Sequence, residues 1–193
     1  MKKQFLIVLL IVAINRFIGA QVPEKIEPFV TPFGEFNFQR PKIPDKVVSI
    51  VDFGAMPGGD FKNTSAINQA IEEIAKSGGG KVLIPAGKWL TGPITLFSNI
   101  DLHIEEGAEL IFSQDFTDYL PAVITNIEGS EVYSYKPFIY AYKQENIAIT
   151  GKGILNGQGK PWWIQRQKHG WSTSGDLLRE MNENEVPLEE RRF

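Results

Sequence analysis

After Lys81 the chain is a succession of very short apolar runs, "VLI", "ITL", "IDLHI", "AELIF", "PFIYA", "IAIT" and "GILNG", each closed by Gly, Pro, Asn or charged pairs. No helical period is interleaved with them. Strands of three to five residues separated by turns fit a sandwich, a barrel or a solenoid. A weak internal repeat chooses among the three. "SNIDLHIEEGAELIFS" from Ser98 resembles "ENIAITGKGILNGQG" from Glu145: each has Asn-Ile, an alternating strand, a Gly-bearing corner and a second strand. Fixed corners around brief strands mark a coil that stacks on the next coil. Asn99 and Asn146 fall at equivalent corners, where Asn tolerates the turn conformation and can bond backbone or a stacked neighbour. The pattern predicts a parallel β-helix.

The run "GGGKVLIPAG" from Gly78 has two readings, a phosphate cradle or a turn that starts a strand. Its context decides. "NTSAINQAIEEIAKSGGG" predicts the one clear helix, with Ile67, Ala70, Ile71, Ile74 and Ala75 on a single apolar stripe. Asn63 or Thr64 is expected to cap its start and Gly78 to take the left-handed conformation at its end. A phosphate loop must follow a strand and open a helix, so that helix N-terminal amides face the anion. Here helix precedes glycines, strand follows, and Lys81 is followed by Val82 rather than Ser or Thr. The glycines are therefore a helix stop and a tight turn. The helix is expected to cover the first coil, so that neither an apolar layer nor an open edge meets water.

Before the helix, "VVSIVDFGA" (Val47 to Ala55) predicts a strand by its β-branched content, and Val22 to Lys46, Pro-rich and aperiodic, an extended leader. The first residues read as a separate export signal: Lys2 and Lys3, the apolar run Phe5 to Ile14, then small Gly19 and Ala20 before a cut. A bilayer-spanning helix needs about 20 apolar residues, so a permanent membrane anchor is not expected. With no cysteine, the exported chain fits a bacterial periplasm or exterior. Its 20 Lys+Arg and 23 Asp+Glu are dispersed, without the basic stripe that nucleic acid selects. The expected organisation is signal peptide 1–20, leader 21–46, coils 47–159 and a polar excursion or next coil 160–193.

"VDFGA", the stretch from "TSAINQAIEEIAKSGGG" through "IEEGAEL", "DFTDYLP" and "ENIAITGKGILNGQGKPWW" together resemble the N-terminal part of bacterial polygalacturonase-like enzymes, family 28 of the glycoside hydrolases. The first half, through Leu110, also resembles the broader pectate-lyase-like superfamily. The Gly-x-Gly-x-Leu-Asn-Gly-x-Gly pattern and the paired tryptophans favour the hydrolase branch. The resemblance implies an all-β, right-handed parallel β-helix with an N-terminal capping helix, incomplete at its C-terminus. It also implies inverting hydrolysis of an acidic plant cell-wall polysaccharide (pectin, polygalacturonate or rhamnogalacturonan), with no cofactor and a monomeric full-length protein. The family's catalytic motifs, Asn-Thr-Asp, Asp-Asp, Gly-His-Gly and Arg-Ile-Lys, are absent from these 193 residues. The chain is thus expected to be an N-terminal piece, marginally stable and inactive alone, in which no catalytic residue is assigned and the sugar-binding residues stay unknown. A calcium-dependent pectate lyase and a non-enzymatic β-helical adhesin or tailspike-like protein are the rival readings.

An inverting glycosidase needs two carboxyl groups roughly 6.5–9.5 Å apart, one of them protonated. Asp115 and Asp118 in "SQDFTDYLP" are the closest local candidates, yet their spacing reads as turn formation. Glu105 with Glu106 and Glu72 with Glu73 read as solvated charges. His103 alternates with Leu102 and Ile104, which makes it an outward or stacked polar residue, and His169 lacks the context of the histidine motif. Trp162, Trp163 and Trp171 have faces suited to sugar rings, but packing of a loop against the coil is the expected use of Trp162 and Trp163. Two distant histidines and no cysteine give no metal site.

Overall fold

The computed structural model describes residues 26–169 and 171–193, so the expected export signal lies outside the described residues. Two compact units divide the chain after Arg40. In the first, β1 (Phe29–Thr31) and β2 (Gly34–Phe36) form an antiparallel hairpin with Phe29 opposite Phe36. Within the stretch expected as an extended leader, the described residues thus contain this hairpin. Pro32 and Phe33 form its turn, and the Thr31 hydroxyl donates to the Gly34 carbonyl at 2.9 Å. A proline followed two residues later by glycine was the turn signal in the sequence.

The second unit opens with β3 (Val47–Ser49), far shorter than the strand expected to Ala55. Local hydrogen bonds win there: the Ser49 hydroxyl accepts from the Val51 amide, the Asp52 carboxylate accepts from the Ser49 amide, and the chain tightens into a 3₁₀ turn over Ile50–Phe53. The helix α1 (Thr64–Lys76) follows. Its stripe is buried as expected, with Ile67, Ala70 and Ile71 fully out of solvent. Burying each isoleucine contributes roughly 1.5–3 kcal/mol. The start of α1 differs from expectation, because neither Asn63 nor Thr64 caps it by its side chain. Asn63 instead accepts from the Met56 amide at 2.7 Å and donates to the Met56 and Phe61 carbonyls, while the Thr64 hydroxyl accepts from the Gly92 amide. Both tie neighbouring turns to the helix. At its other end the Gly79 amide donates to the Ile74 carbonyl and the Gly78 amide to the Ala75 carbonyl, the double bond that satisfies orphan carbonyls when the residue after the cap is left-handed.

Three stacks of parallel strands then build the coil. β4 (Gly80–Ile84), β5 (Gly87–Thr91) and β6 (Ile94–Thr95) make one turn. β7 (Ile100–Ile104) and β8 (Ala108–Phe112) begin the next; the chain leaves through a 3₁₀ turn (Phe116–Tyr119) and the antiparallel hairpin of β9 (Val123–Ile127) and β10 (Ser130–Ser134), and returns at β11 (Ile139–Tyr140). β12 (Ala148–Gly151) and β13 (Ile154–Asn156) lie on the third turn. The sheets run β3-β4-β7-β12, β5-β8-β13 and β6-β11, all parallel. This is a right-handed parallel β-helix. Val82, Leu102 and Ile149 share one register position and Trp89, Leu110 and Leu155 another. Alternation turns Val82, Ile84, Trp89, Leu102, Ile104 and Leu110 into a core that α1 closes at one end.

The corner predicted at Asn99 and Asn146 is built as a ladder. Both residues are left-handed, at φ 64° and 53°, and the Asn146 amide nitrogen donates to the Asn99 side-chain oxygen at 3.1 Å. One coil earlier the same position is Gly79, because a Cβ there would stand 2.4 Å from the Asn99 carbonyl oxygen.

After β13 come α2 (Lys160–His169) and α3 (Trp171–Glu183), so the polar stretch 160–193 is largely helical. The last residues pair with the β9–β10 hairpin: the Tyr133 amide donates to the Arg191 carbonyl at 2.7 Å and the Phe193 amide to the Tyr133 carbonyl at 2.9 Å. Among the described residues no helix is long and apolar enough to cross a membrane.

Gly78 and Gly79 share the left-handed backbone but not the close approach, since a Cβ at Gly78 meets nothing within 4 Å. Gly78→Ala should lower stability by about 1–2 kcal/mol through backbone strain alone. Gly79→Ala should lose about 1–3 kcal/mol more from crowding against Asn99. Urea midpoints of the two variants, followed by far-ultraviolet circular dichroism, measure the difference.

Candidate functional site

The outward residues of the first sheet form a polar column. Asp101 is 6% exposed, and both its carboxylate oxygens accept from the Thr150 hydroxyl, at 2.7 and 3.0 Å. His103 Nδ1 stands 2.6 Å from the same hydroxyl. That hydroxyl has one proton and gives it to the carboxylate, so His103 donates to it from Nδ1. Lys81 Nζ lies 3.8 Å from Asp101 Oδ2. His103 is thus a stacked polar residue, as strand alternation implied. What the sequence did not reveal was its partner, which the 47-residue offset between coils brings alongside.

The excursion between β8 and β11 carries the other predicted residues. Asp115 and Asp118 face one cation, with Lys62 Nζ 3.7 Å from Asp115 Oδ2 and 2.7 Å from Asp118 Oδ2. Asp115 also accepts from the Thr117 hydroxyl and amide, which, with Lys62 nearby, hold its carboxyl below the usual range. A general acid needs a carboxyl displaced upward, so Asp115 is set for turn formation instead. The hydrogen bond and charge of Asp118 raise Lys62 in turn. Glu106 pairs at 3.7 Å with Lys152 and Glu73 at 3.8 Å with Lys76, all well exposed, while Glu105 accepts from the Ala86 amide.

Trp162 packs, as expected. Its ring meets Phe116 edge-on at 4.4 Å, Tyr119 at 5.0 Å and Tyr135 at 5.6 Å, and so joins the start of α2 to the excursion. Trp163 is 56% exposed. The side chains of His169 and Trp171 lie outside the described residues. Beneath Trp162, Tyr119 is 1% exposed and donates to the Ser113 carbonyl at 2.6 Å. Burial, with a smaller contribution from Asp118, pushes its phenol up to about 12.

A cavity of about 270 Å³ opens between the β9–β10 hairpin and β11, lined by Thr125, Asn126, Glu131, Ile139, Tyr140 and Tyr142 among others. Lys136 Nζ stands 5.9 Å from the Tyr140 ring centre and Lys143 Nζ 5.0 Å from that of Tyr142. Sequence reasoning missed this hairpin, although "VITNIEGSEVYS" alternates on either side of a Glu-Gly pair. Both turn residues have positive φ, 51° and 90°.

No family profile matches the chain. Among solved structures, a hyperthermoactive exopolygalacturonase from Thermotoga maritima superposes with a TM-score of 0.75 and 42% identity, over 80% of this chain and 37% of that one. The chain is polygalacturonase-like. A family 28 exopolygalacturonase from Yersinia enterocolitica gives a TM-score of 0.53 at 34% identity, over 59% of this chain and 21% of its own. A probable polygalacturonase from Vitis vinifera is 35% identical over 60% of this chain. The chain spans a quarter of that relative's length. The polygalacturonase resemblance read from "VDFGA", the glycine corner and the paired tryptophans is therefore met by relatives from bacteria and a plant alike.

Tyr119 gives a pH test of the excursion. A phenol whose folded pKa is raised from 10.0 to about 12 adds stability that is fully present below pH 10 and is lost as pH rises through 12. Tyr119→Phe should begin about 1 kcal/mol less stable, through loss of the bond to Ser113, and should then keep stability that the wild type sheds across that interval. Urea midpoints of both proteins against pH check the crossing trend.

Proposed function

We propose that this chain supplies the coil scaffold and one wall of the substrate groove of a polygalacturonase-type glycoside hydrolase. Its substrate is an acidic, uronic-acid-containing polysaccharide such as pectin. The observation that carries the reading is the likeness to the Thermotoga exopolygalacturonase, 42% identical with a TM-score of 0.75 over 80% of the chain. Bond cleavage is by inversion, with one carboxyl group as acid and another activating water. The carboxylates at hand do other work: Asp115 and Asp118 on Lys62, and Asp101 under Thr150. The 193-residue polypeptide is accordingly inactive by itself. Lys2, Lys3 and the apolar run after them direct export to the periplasm or exterior.

Two preparations test this: the protein purified from the culture of its source, and the 193-residue polypeptide. Given polygalacturonate, the first should release saturated reducing sugar with inverted anomeric configuration, and should begin after Ala20 on N-terminal sequencing. The second should release none while retaining its circular dichroism. A calcium-dependent, ultraviolet-absorbing unsaturated product would contradict hydrolysis, and turnover by the 193-residue polypeptide would contradict its inactivity.

A further inference from the structure

We propose that the β1–β2 hairpin docks on the surface of a lipid bilayer, with Phe33 entering the boundary between headgroups and acyl chains. Phe29, Phe33, Phe36 and Phe38 lie within ten residues of one another and all are exposed. Phe33, in the turn, is 94% exposed, and Val30 is exposed beside it on β1. An apolar concentration of this kind on a water-facing surface marks contact with another protein or with a membrane. A two-stranded hairpin by itself is marginal in water, so covering these rings also stabilises the unit that bears them.

Polarity chooses between the two. A protein interface carries about one hydrogen bond per 100–200 Å², so it needs donors and acceptors beside its apolar groups. The tip of this hairpin offers few. The Thr31 hydroxyl accepts from the Phe33 amide at 3.2 Å and donates to the Gly34 carbonyl at 2.9 Å, and Thr31 and Gly34 are partners across the ladder. Pro32 in the turn and Pro28 just before β1 have no N–H to leave unpaired. A backbone that satisfies itself is what a water-poor medium demands, because unpaired groups are costly there. No charged side chain occurs from Pro28 to Gly34; Glu27 and Glu35 bracket the segment, and Glu35 accepts from the Asn37 side chain at 3.4 Å. With neither Lys nor Arg in the hairpin, attraction comes from apolar area and not from anionic headgroups. The contact is peripheral, since strands of three residues are far short of the roughly 9–11 that cross a bilayer.

This inference does not depend on the polysaccharide reading above. The chain has no cysteine, so Phe33→Cys and, as a control on the exposed side of α1, Glu72→Cys each accept a single nitroxide label. Either labelled 193-residue polypeptide is mixed with phosphatidylcholine vesicles, and the depth of the label is read from its relaxation by dissolved oxygen against a water-soluble nickel chelate. The label at position 33 should report the acyl boundary while the label at position 72 stays aqueous. In co-sedimentation of the unlabelled proteins with the same vesicles, Phe33→Ser should lower the partition coefficient about tenfold and Phe33→Leu should keep most of it. The apolar run Phe5 to Ile14 is common to all three proteins, so differences between them belong to the hairpin. Phe33 occupies an exposed turn position, and both variants should retain the wild-type circular dichroism. A label at position 33 that stays aqueous on vesicle-bound protein, equal partition of Phe33→Ser, or no vesicle binding at all would overturn the proposal. So would spin–spin broadening of that label without vesicles, which would assign the exposed rings to a second copy of the chain.

Discussion

The structure depends on one constraint, that each coil places the same side chain over the same spot on the coil before it. Parallel strands hydrogen-bonded in register, Val82 to Leu102 to Ile149, turn a chain of three- to five-residue strands into continuous apolar columns. No such strand is stable alone; the column makes it so. The corners enforce the register. Left-handed Asn99 and Asn146 are bonded to each other, and Gly79 lies beneath them because nothing larger fits under the Asn99 carbonyl. The outer faces obey the same registration, which is why a carboxylate, a hydroxyl and an imidazole from two coils meet at Asp101, Thr150 and His103.

A registered coil also leaves somewhere for variable structure to go. Between β8 and β11 the chain departs for 26 residues and resumes the stack at Ile139 opposite Ile94, so the core continues regardless of what the excursion does. The excursion is locked in place by aromatic and ionic contacts that are not part of the coil. Phe112 stacks on Phe138 at 4.7 Å, Trp162 meets Phe116 and Tyr119 edge-on, and Asp118 reaches Lys62. Specific groups held on an irregular segment over a rigid scaffold are the usual division of labour in a binding protein.

The coil was legible wherever a residue's role is set by its own neighbours in sequence. The α1 stripe, the glycine stop and the Asn-Ile corners are of this kind, and the structure keeps them. What sequence reasoning lost was decided by competition or distance. Val47–Ala55 has the composition of a strand, but Ser49 and Asp52 satisfy their own backbone and cut it short. Asn63 has the identity of a helix cap, yet burial commits it to Met56 and Phe61. The hairpins at Phe29–Phe36 and Val123–Ser134 each carried a turn signal that the surrounding apolar fragments obscured. The cavity was invisible in principle, because its tyrosines and its polar rim are brought together only when β11 returns to the stack.

Registered stacking is therefore the claim on which the rest stands, and methyl nuclear Overhauser effects test it most directly. In a selectively methyl-labelled sample, Leu102 should show strong cross-peaks both to Val82, 20 residues earlier, and to Ile149, 47 residues later, with none between Val82 and Ile149. Cross-peaks from Leu102 to only one of them, or to residues out of this register, would contradict the coil and everything placed on it.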